Sequence, residues 1–365
     1  MAFLSYPSVR YYQESPDRTR AKRVDERSGG VRNFNLPHPV GVGYYEYGFF
    51  RVFALSGGQR SRRETEWVPR AQSWGAHSSL EKSMAKRSAD FAGSWYPGRD
   101  SDCRRAIEEF SRSSVPCPAG GAVGGIVPHA GWVFSGKIAC NVIRCLSEQS
   151  SPDTIVLFGR HLHPSSKSYI MSEGSWATPL GDLEIDQELG KKLQAEFPFV
   201  VETATRYDQD NTIELQLPFI KHYFPEVKIL PLGVPPAQGS LLIGERAAEI
   251  SRELGRNILV LGSTDLTHYG HNYGYAPKGV GKGAVEWVKN ENDKRLVDLI
   301  LRMDAEEVIR ESLTNHNACC SGAVGTAIAA AKKLGARQAQ KLLYATSYDV
   351  RPDNSFVGYV GVVFV

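Results

Sequence analysis

The stretch "NILVLGSTDLTHYG", residues 257–270, places a β-branched apolar run directly before a group of polar side chains. A short apolar run of this kind is typical of a buried strand. The residues that follow, from Ser263 to His268, can donate, accept or transfer protons. In α/β proteins ligands bind beyond the carboxyl ends of the strands, where neighbouring loops converge. This stretch therefore predicts a buried strand that ends in a polar pocket.

Other segments of the chain repeat the strand pattern, and helical patterns lie between them. The further predicted strands are "AVGGIVPH", "DTIVLFG", "VKILPLGV", "KLLYATSY" and "GYVGVVFV". The predicted helices lie at residues 102–112, 135–148, 187–197, 211–224, 241–254, 284–302 and 320–334. Such alternation predicts an α/β fold, with a mixed, mostly parallel sheet sandwiched by helices. We assign it to one domain, residues 84–365.

Residues 1–83 have a different composition and no sustained periodicity. They hold 13 Lys and Arg against 8 Asp and Glu, whereas the rest of the chain holds 30 against 32. We interpret this segment as a poorly ordered extension or a mis-assigned gene start. Because the predicted domain is close to neutral, we expect no nucleic-acid partner.

The distribution of apolar residues and cysteines predicts a cytoplasmic protein. No apolar run approaches the roughly 20 residues of a membrane span, and the first 30 residues lack the apolar core of a signal peptide. The six cysteines show no paired CxxC spacing,. A reducing compartment fits this usage, and Cys140 and Cys145 are interpreted as small buried residues within a helix.

Histidines follow three of the predicted strands. His129 follows the first, His161 and His163 follow the second, and His268 follows the strand that opened this section, together with Asp265. Parallel strands that end at the same edge of a sheet bring such residues together. The competing interpretation is purely structural. Each histidine would only make hydrogen bonds within the fold, and Asp265 would cap a turn.

Two cysteines, Cys319 and Cys320, stand at the start of a predicted helix of small residues. A helix N-terminus favours the thiolate form of cysteine, although core packing would also explain the pair. Two imidazoles and one anionic ligand from separate loops can hold a redox metal, iron or copper, with positions left open for a substrate. Asp265 and His268 would then serve as catalytic acid–base groups.

The motifs occur in an order that resembles the MEMO family, also named protein B of the AmmeMemoRadiSam system. The resemblance covers about residues 90–365. The motifs that carry it are "FAGSWYPG", "PHAGWVFSG", "GRHLHP", "TPLGDLEID", "NTIELQLPF", "STDLTHYG" and "ACCSGAVG". It implies a fold similar to that of class III extradiol dioxygenases, which use non-haem iron, with a His, His, Cys set in place of His, His, Glu.

Carried over by motif, the resemblance implies that the metal ligands are His129, His163 and Cys319. The second ligand is ambiguous between His161 and His163, and we prefer His163. Cys320 stands where the motif has a glycine. Asp265 and His268 match the polar residues of the family's pocket. One position departs from the pattern: Asn211 stands where relatives have a histidine, while Glu214 remains.

Two main functions are compatible with these residues. The first is a metal-dependent redox protein that acts on an unidentified small molecule or peptide. The second is a non-catalytic adaptor that binds a phosphorylated or anionic ligand in the same pocket, for which Arg160 is the candidate cation. A hydrolase that uses Ser263 is disfavoured because the chain has no GxSxG motif. The resemblance also implies radical SAM and AMMECR1-like partner proteins.

Overall fold

Twelve strands and eleven α-helices make up the described part of the chain, residues 85–365 of this computed structural model. The interpretation of residues 1–83 as a poorly ordered extension concerns residues outside that part. The strands are β1 (Lys86–Arg87), β2 (Gly124–Val127), β3 (Thr154–Gly159), β4 (Tyr169–Met171), β5 (Ser175–Trp176), β6 (Leu183–Glu184), β7 (Val200–Glu202), β8 (Lys228–Gly233), β9 (Ile258–Ser263), β10 (His268–Tyr269), β11 (Ala339–Thr346) and β12 (Phe356–Phe364). The helices are α1 (Asp100–Arg112), α2 (Trp132–Gln149), α3 (Gln187–Glu196), α4 (Asn211–Glu214), α5 (Leu217–Tyr223), α6 (Gln238–Glu253), α7 (Lys282–Trp287), α8 (Asp293–Leu301), α9 (Ala305–Asn315), α10 (Ser321–Leu334) and α11 (Ser347–Val350).

Nine of these strands form one mixed sheet within the described residues. Its order is β10-β12-β2-β9-β3-β8-β4-β7, with β11 also paired to β12. The four central strands, β2, β9, β3 and β8, run parallel, whereas β12 and β4 join them antiparallel on either side. The remaining strands, β1, β5 and β6, form a small separate sheet. The predicted α/β class with a mixed sheet is confirmed.

The register of the central strands aligns their carboxyl ends. Val127 of β2 pairs with Ser263 of β9, and Phe158 of β3 pairs with Gly262 of the same strand. Because neighbouring parallel strands are less than about 5 Å apart, the residues that leave these three strands emerge side by side. The loops that begin at residues 128, 160 and 264 therefore share one edge of the sheet.

Helices cover the sheet in two groups. Helix α2 packs on β12 and β2, with α1 and α5 against it. Helix α10 packs on β9 and β3, with α6 and α9 against it. All strand residues of β2, β3, β9 and β12 are buried, which explains their near-continuous apolar sequences. Among the described helices, none combines the length and the apolar composition that a membrane span requires.

The close approach of α10 to β9 depends on a glycine. A Cβ atom at Gly262 would lie 2.8 Å from the carbonyl oxygen of Ala323 and 2.9 Å from the Cβ of Ala327. Such contacts are shorter than packed atoms tolerate, so only glycine fits this position of the strand. Small residues on both sides thus bring the N-terminus of α10 to the carboxyl end of β9.

The helix predicted over residues 284–302 is interrupted in the structure. Helices α7 and α8 flank a π-helical turn, Val288–Asn292. The turn lies beside Asp293, whose carboxylate is fully buried and accepts hydrogen bonds from Thr267 and Tyr344. A π-turn adds a residue to the helical repeat and so re-aims the side chains that follow. Periodicity alone did not reveal this interruption, nor the separate helix α9.

Two cysteines form a disulfide that the sequence did not predict. Cys117, in the loop after α1, is bonded to Cys145 of α2. The interpretation of Cys145 as a simple packing residue is therefore wrong, because a bond to a distant loop cannot be read from a local pattern. Cys140 is free and buried, as expected. Since disulfides are rare in reducing compartments, the cytoplasmic location stays a prediction.

A group of buried charges, which we call the arginine cluster, lies at the ends of β3 and β7. It consists of Arg87, Arg160, Glu202 and Asp208. Arg87 is fully buried between the rings of Trp176 and Tyr207, and its Nη1 lies 3.1 Å from Glu202 Oε2. Arg160 Nη1 lies 2.6 Å from Glu202 Oε1, and its Nη2 lies 3.0 Å from Asp208 Oδ2. Both guanidinium groups are thus neutralised by acidic neighbours.

Candidate functional site

Four side chains from three loops converge at the carboxyl ends of β2, β3 and β9. They are His129, His161, Cys319 and Cys320, and one ligand atom from each lies within 4.8 Å of the others. We call them the histidine–cysteine cluster. His129 follows β2, His161 follows β3, and the two cysteines immediately precede α10. The strand register and the close packing of α10 on β9 are what bring these loops together.

The imidazole of His129 is oriented by a chain of hydrogen bonds. Its Nδ1 lies 3.0 Å from Ser263 Oγ, and that hydroxyl lies 2.7 Å from the carbonyl oxygen of Thr212. A serine hydroxyl has one proton, which goes to the carbonyl, so the oxygen accepts from Nδ1–H. The lone pair of the neutral ring is then on Nε2. This atom lies 3.2 Å from Cys319 Sγ, inside the histidine–cysteine cluster.

Cys319 is set up to carry a negative charge. Its Sγ accepts a hydrogen bond from the backbone N–H of Asp265, at 3.3 Å, and lies 3.7 Å from Cys320 Sγ. Burial opposes ionisation, but the hydrogen bond from Cys320 and the two neighbouring imidazoles outweigh it and hold the pKa of Cys319 well below its ordinary value. Burial and the adjacent thiolate raise the pKa of Cys320.

Asp265 is buried and supports the loop that carries His129. Its Oδ1 accepts the backbone N–H of His129 at 2.8 Å, and its backbone oxygen accepts the N–H of Cys319 at 3.2 Å. Burial raises the pKa of its carboxyl. For His129, burial alone would lower the pKa, but Asp265 and Cys319 raise it to about 9. The carboxylate therefore couples the two loops electrostatically.

His268 lies beside Asp265 and forms an ion pair with its carboxylate when the imidazole is charged. Its Nε2 is 3.9 Å from Asp265 Oδ2, and 24% of its side chain is exposed. Within the described range this nitrogen has no hydrogen-bond partner. Burial disfavours the charged ring, yet the neighbouring Cys319 and Asp265 outweigh that effect and raise the pKa of His268. The geometry suits a group that exchanges protons with a molecule in the pocket.

The structure brings His161, not His163, to the cysteines. His161 Nδ1 lies 3.4 Å from Cys320 Sγ, and its ring meets that of His129 edge to face at 5.0 Å between centroids. His163 is exposed, and its Nδ1 faces Ser165, 2.8 Å from the hydroxyl and 3.2 Å from the backbone nitrogen. The structure therefore groups His161, and not the preferred His163, with the cysteines. The backbone at Arg160, with φ of 80°, turns the chain within this loop in a way that spacing cannot reveal.

Asn211 and Glu214 play supporting parts in the described structure. Asn211 Nδ2 donates to the backbone oxygen of His129 at 3.2 Å, which helps to fix that loop. Glu214 is fully buried, and its Oε1 accepts from Phe91 N at 2.7 Å and from the Tyr96 hydroxyl at 2.9 Å. Burial raises the pKa of Glu214 to about 7. Asn211, the residue that departs from the family pattern, thus still makes a polar contact with His129.

The geometry defines a class of site in which nitrogen and sulfur donors converge beyond the ends of parallel strands. An imidazole lone pair, a second imidazole and a stabilised thiolate face one point, which is the donor set of a soft or borderline transition metal. Sequence reasoning placed His129, Cys319, Asp265 and His268 here. It missed the proximity of Cys320 to His161, because side-chain direction at a helix start depends on the packing of α10.

The chain belongs to the MEMO family. The family model described as "Memo-like protein" matches residues 87–363. A MEMO1 family protein of Pyrococcus furiosus is 34% identical over 292 residues, which cover 76% of this chain and 98% of the relative. A MEMO1 family protein of Thermococcus onnurineus is 34% identical over 285 residues, 75% and 97% of the two chains. The resemblance noted from the motifs is confirmed.

The similarity extends to a MEMO1 family protein of Methanopyrus kandleri, which is 32% identical over 297 residues, 76% of this chain and 99% of the relative. Among solved structures, an uncharacterized protein of Escherichia coli K12 superposes with a TM-score of 0.37 at 12% identity, covering 61% of this chain and 91% of that one. So low a score supports no inference about function.

Proposed function

We propose that this MEMO family protein binds iron or copper through His129, His161 and Cys319 and uses the ion in redox chemistry on a small molecule or peptide. The observation that carries the proposal is the convergence of the four ligand atoms of the histidine–cysteine cluster within 4.8 Å. The Ser263 hydrogen bond that leaves the lone pair of His129 on Nε2 supports it, because metal-binding histidines commonly fix their tautomer in this way.

The protein's own residues contribute orientation and proton transfer. A bound iron or copper ion would supply one-electron chemistry. Asp265 holds the loops of His129 and Cys319 in register through two hydrogen bonds. His268, whose buried Nε2 has no hydrogen-bond partner among the described residues and lies 3.9 Å from Asp265 Oδ2, is the group that would give a proton to, or take one from, a ligand in the pocket,. These roles make Asp265 a positioning residue and His268 the acid–base candidate.

The adaptor alternative has less support. An anion-binding pocket needs an available cation, and Arg160 engages Glu202 and Asp208 with its guanidinium group. A hydrolase based on Ser263 also lacks support, because that hydroxyl is buried and donates to the backbone of Thr212. The cytoplasmic location and the radical SAM and AMMECR1-like partners remain proposals that rest on the family resemblance.

Metal retention tests the proposal. Protein purified without oxygen is expected to retain iron or copper, measured by mass spectrometry of the dissolved metal. His129→Ala and Cys319→Ser should each abolish retention, because each removes a donor atom from the centre of the cluster. Cys140→Ser removes a buried thiol elsewhere and serves as the control.

Thermal unfolding should show that the two cluster variants remain folded. If either of them keeps the full metal content of the wild type, the proposed ligand set is wrong.

A further inference from the structure

We infer that Cys320 is a fourth ligand, so that His129, His161, Cys319 and Cys320 surround one ion in a closed tetrahedral site for a soft ion with a filled d shell, copper(I) or zinc(II). The inference rests on the metal site proposed above and narrows its metal. It follows from three observations: the separations of the donor atoms, the surroundings of the Cys320 sulfur and the chemical softness of the complete donor set.

Three of the six distances between donor atoms lie within about 0.4 Å of the edges of a coordination tetrahedron,. With metal–sulfur bonds of about 2.3 Å and metal–nitrogen bonds of about 2.0–2.1 Å, a tetrahedral zinc ion separates two sulfurs by about 3.8 Å and a sulfur from a nitrogen by about 3.6 Å. The two sulfurs are 3.7 Å apart. The sulfur–nitrogen pairs are Cys319 with His129 Nε2 at 3.2 Å and Cys320 with His161 Nδ1 at 3.4 Å.

The surroundings of the Cys320 sulfur are those of a ligand rather than of a packing residue alone. Its side chain is buried, and the polar contacts of its Sγ are with Cys319 Sγ and His161 Nδ1, both members of the cluster. Its backbone N–H donates to Thr264 Oγ1 at 3.1 Å, which fixes the position of the residue at the start of α10. A sulfur held this way needs little movement to join the others around an ion.

The four donors together select the metal. Two thiolates and two imidazoles form the donor set of closed structural sites, whereas catalytic sites keep three protein ligands and an open position. Thiolates favour copper(I) and zinc, while oxygen donors suit harder ions. With Cys320 bound, the ion has no vacant position. Iron is thereby disfavoured. Copper(I) would keep the redox part of the proposed function as electron transfer without a substrate bound to the ion, whereas zinc(II) would keep the site and exclude that redox function.

Cobalt(II) substitution counts the sulfur ligands. Reduced full-length protein, stripped of metal and kept without oxygen, is titrated with cobalt(II) and followed by its visible and near-ultraviolet absorbance. We expect the absorbance of a tetrahedral ion, with a thiolate-to-cobalt charge-transfer band from two sulfurs. In Cys320→Ser and Cys320→Gly that band should fall to about half per bound ion, since one of two thiolates is removed.

The cobalt affinity should fall as well. Loss of a residue that merely orients a ligand typically weakens binding by about 10–100-fold, so loss of a ligand should weaken it by about 100-fold or more. Cys140→Ser is the matched control and should reproduce the wild-type spectrum and affinity. Two different substitutions are made at position 320, so that the test remains valid if one of the two variants misfolds.

The outcomes separate this inference from the proposed function. If Cys320→Ser and Cys320→Gly reproduce the wild-type spectrum and affinity while Cys319→Ser does not, the metal site stands and the fourth ligand is overturned. If neither the wild type nor any variant binds cobalt, copper or iron, both proposals fail together.

Metal competition tests the choice of ion. Metal-free protein is offered equal amounts of iron(II), copper(I) and zinc(II) without oxygen, desalted and analysed for metal. The retained element identifies which ion the wild type prefers, and a preference for copper or zinc that weakens in Cys320→Ser and Cys320→Gly supports the closed site. Preferential retention of iron would overturn it.

Discussion

Two groups of polar side chains lie at neighbouring strand ends of the same sheet, and they differ in how their charges are satisfied. In the arginine cluster, Glu202 lies between Arg87 and Arg160, and each guanidinium group meets a carboxylate. In the histidine–cysteine cluster the contacts are between sulfur and imidazole instead: Cys319 Sγ lies 3.2 Å from His129 Nε2, and Cys320 Sγ lies 3.4 Å from His161 Nδ1. These four side chains carry donor atoms of the kind that a soft or borderline metal ion takes,, whereas the carboxylates of the arginine cluster are engaged by guanidinium groups.

This difference distinguishes residues that stabilise the fold from residues that can bind a ligand, although both groups lie at one edge of the sheet. Buried charges that neutralise one another hold loops together but have no remaining capacity for a ligand. Nitrogen and sulfur donors that converge on one point are available to bind a metal ion; in this cluster His129 and Cys320 are buried, Cys319 is half-buried and His161 is exposed. Arg160 and His161 are adjacent in sequence, yet one belongs to the first group and the other to the second. The loop after β3 therefore serves both purposes.

Substitution of Glu202 is expected to have the largest effect, and it tests whether the two clusters are independent of one another. In Glu202→Gln, Arg87 and Arg160 lose the charge that neutralises them, and removal of one partner from a buried ion pair typically costs about 3–5 kcal/mol. We expect a loss of that size in the free energy of unfolding, measured with urea, and unchanged metal retention. Asp208→Asn is the control, because 79% of the Asp208 side chain is exposed and such pairs contribute about 1 kcal/mol or less.

A loss of metal in Glu202→Gln at temperatures where the protein remains folded would show that the two clusters are not independent.

Glu214 belongs to neither cluster and tests how burial of a carboxyl group, rather than its pairing with arginine, makes stability depend on pH. Burial raises its pKa from an ordinary 4.5 to about 7, so the folded state binds a proton more tightly than the unfolded state. The stability that this proton provides is complete below about pH 4.5 and is lost as the pH rises through 7. Glu214→Gln removes this dependence. From pH 5 to 8 the variant should therefore gain about 2–3 kcal/mol in unfolding free energy relative to the wild type.

Urea unfolding at several pH values measures this gain, and the exposed Glu173 provides the control variant Glu173→Gln, which should behave as the wild type does at every pH. A constant difference between Glu214→Gln and the wild type across this range would show that the carboxyl is already ionised at pH 5.

Substitutions of His161 and His163 test which histidine of this loop binds the metal. His161→Ala should weaken metal binding by about 100-fold or more, because it removes a ligand and not merely a residue that orients one. His163→Ala should leave the affinity within about twofold, since its ring faces Ser165 on the surface. Competition with a coloured chelator measures both dissociation constants. If His163→Ala loses more metal affinity than His161→Ala, then His163 is the second ligand and His161 is not a ligand.

Local sequence patterns were sufficient for the central sheet. The apolar runs that end at Gly159, Gly233 and Ser263 appear in the structure as β3, β8 and β9. The short strands β4 and β7 at one side of the sheet were missed, because three residues carry too little periodicity to be recognised,. The position of His129 and Asp265 at strand ends was also predictable, since parallel strands that share a register release their following residues at one edge.

Side-chain partners were less predictable than strand positions. The disulfide between Cys117 and Cys145 joins residues on different elements, and the engagement of Arg160 by Glu202 joins β3 to β7. Neither pair leaves a signal in the local sequence, because contact between distant elements depends on how the helices and loops pack.

The sequence by itself determined an α/β protein of the MEMO family whose strand ends carry imidazoles, a carboxylate and thiols. Only the tertiary structure decided that His161 rather than His163 meets the cysteines and that Cys320 lies beside Cys319 within the cluster. The reason is physical: strand periodicity is a local property of the chain. The direction of a side chain in a loop is set by the backbone turn at Arg160 and by the packing of α10 against β9.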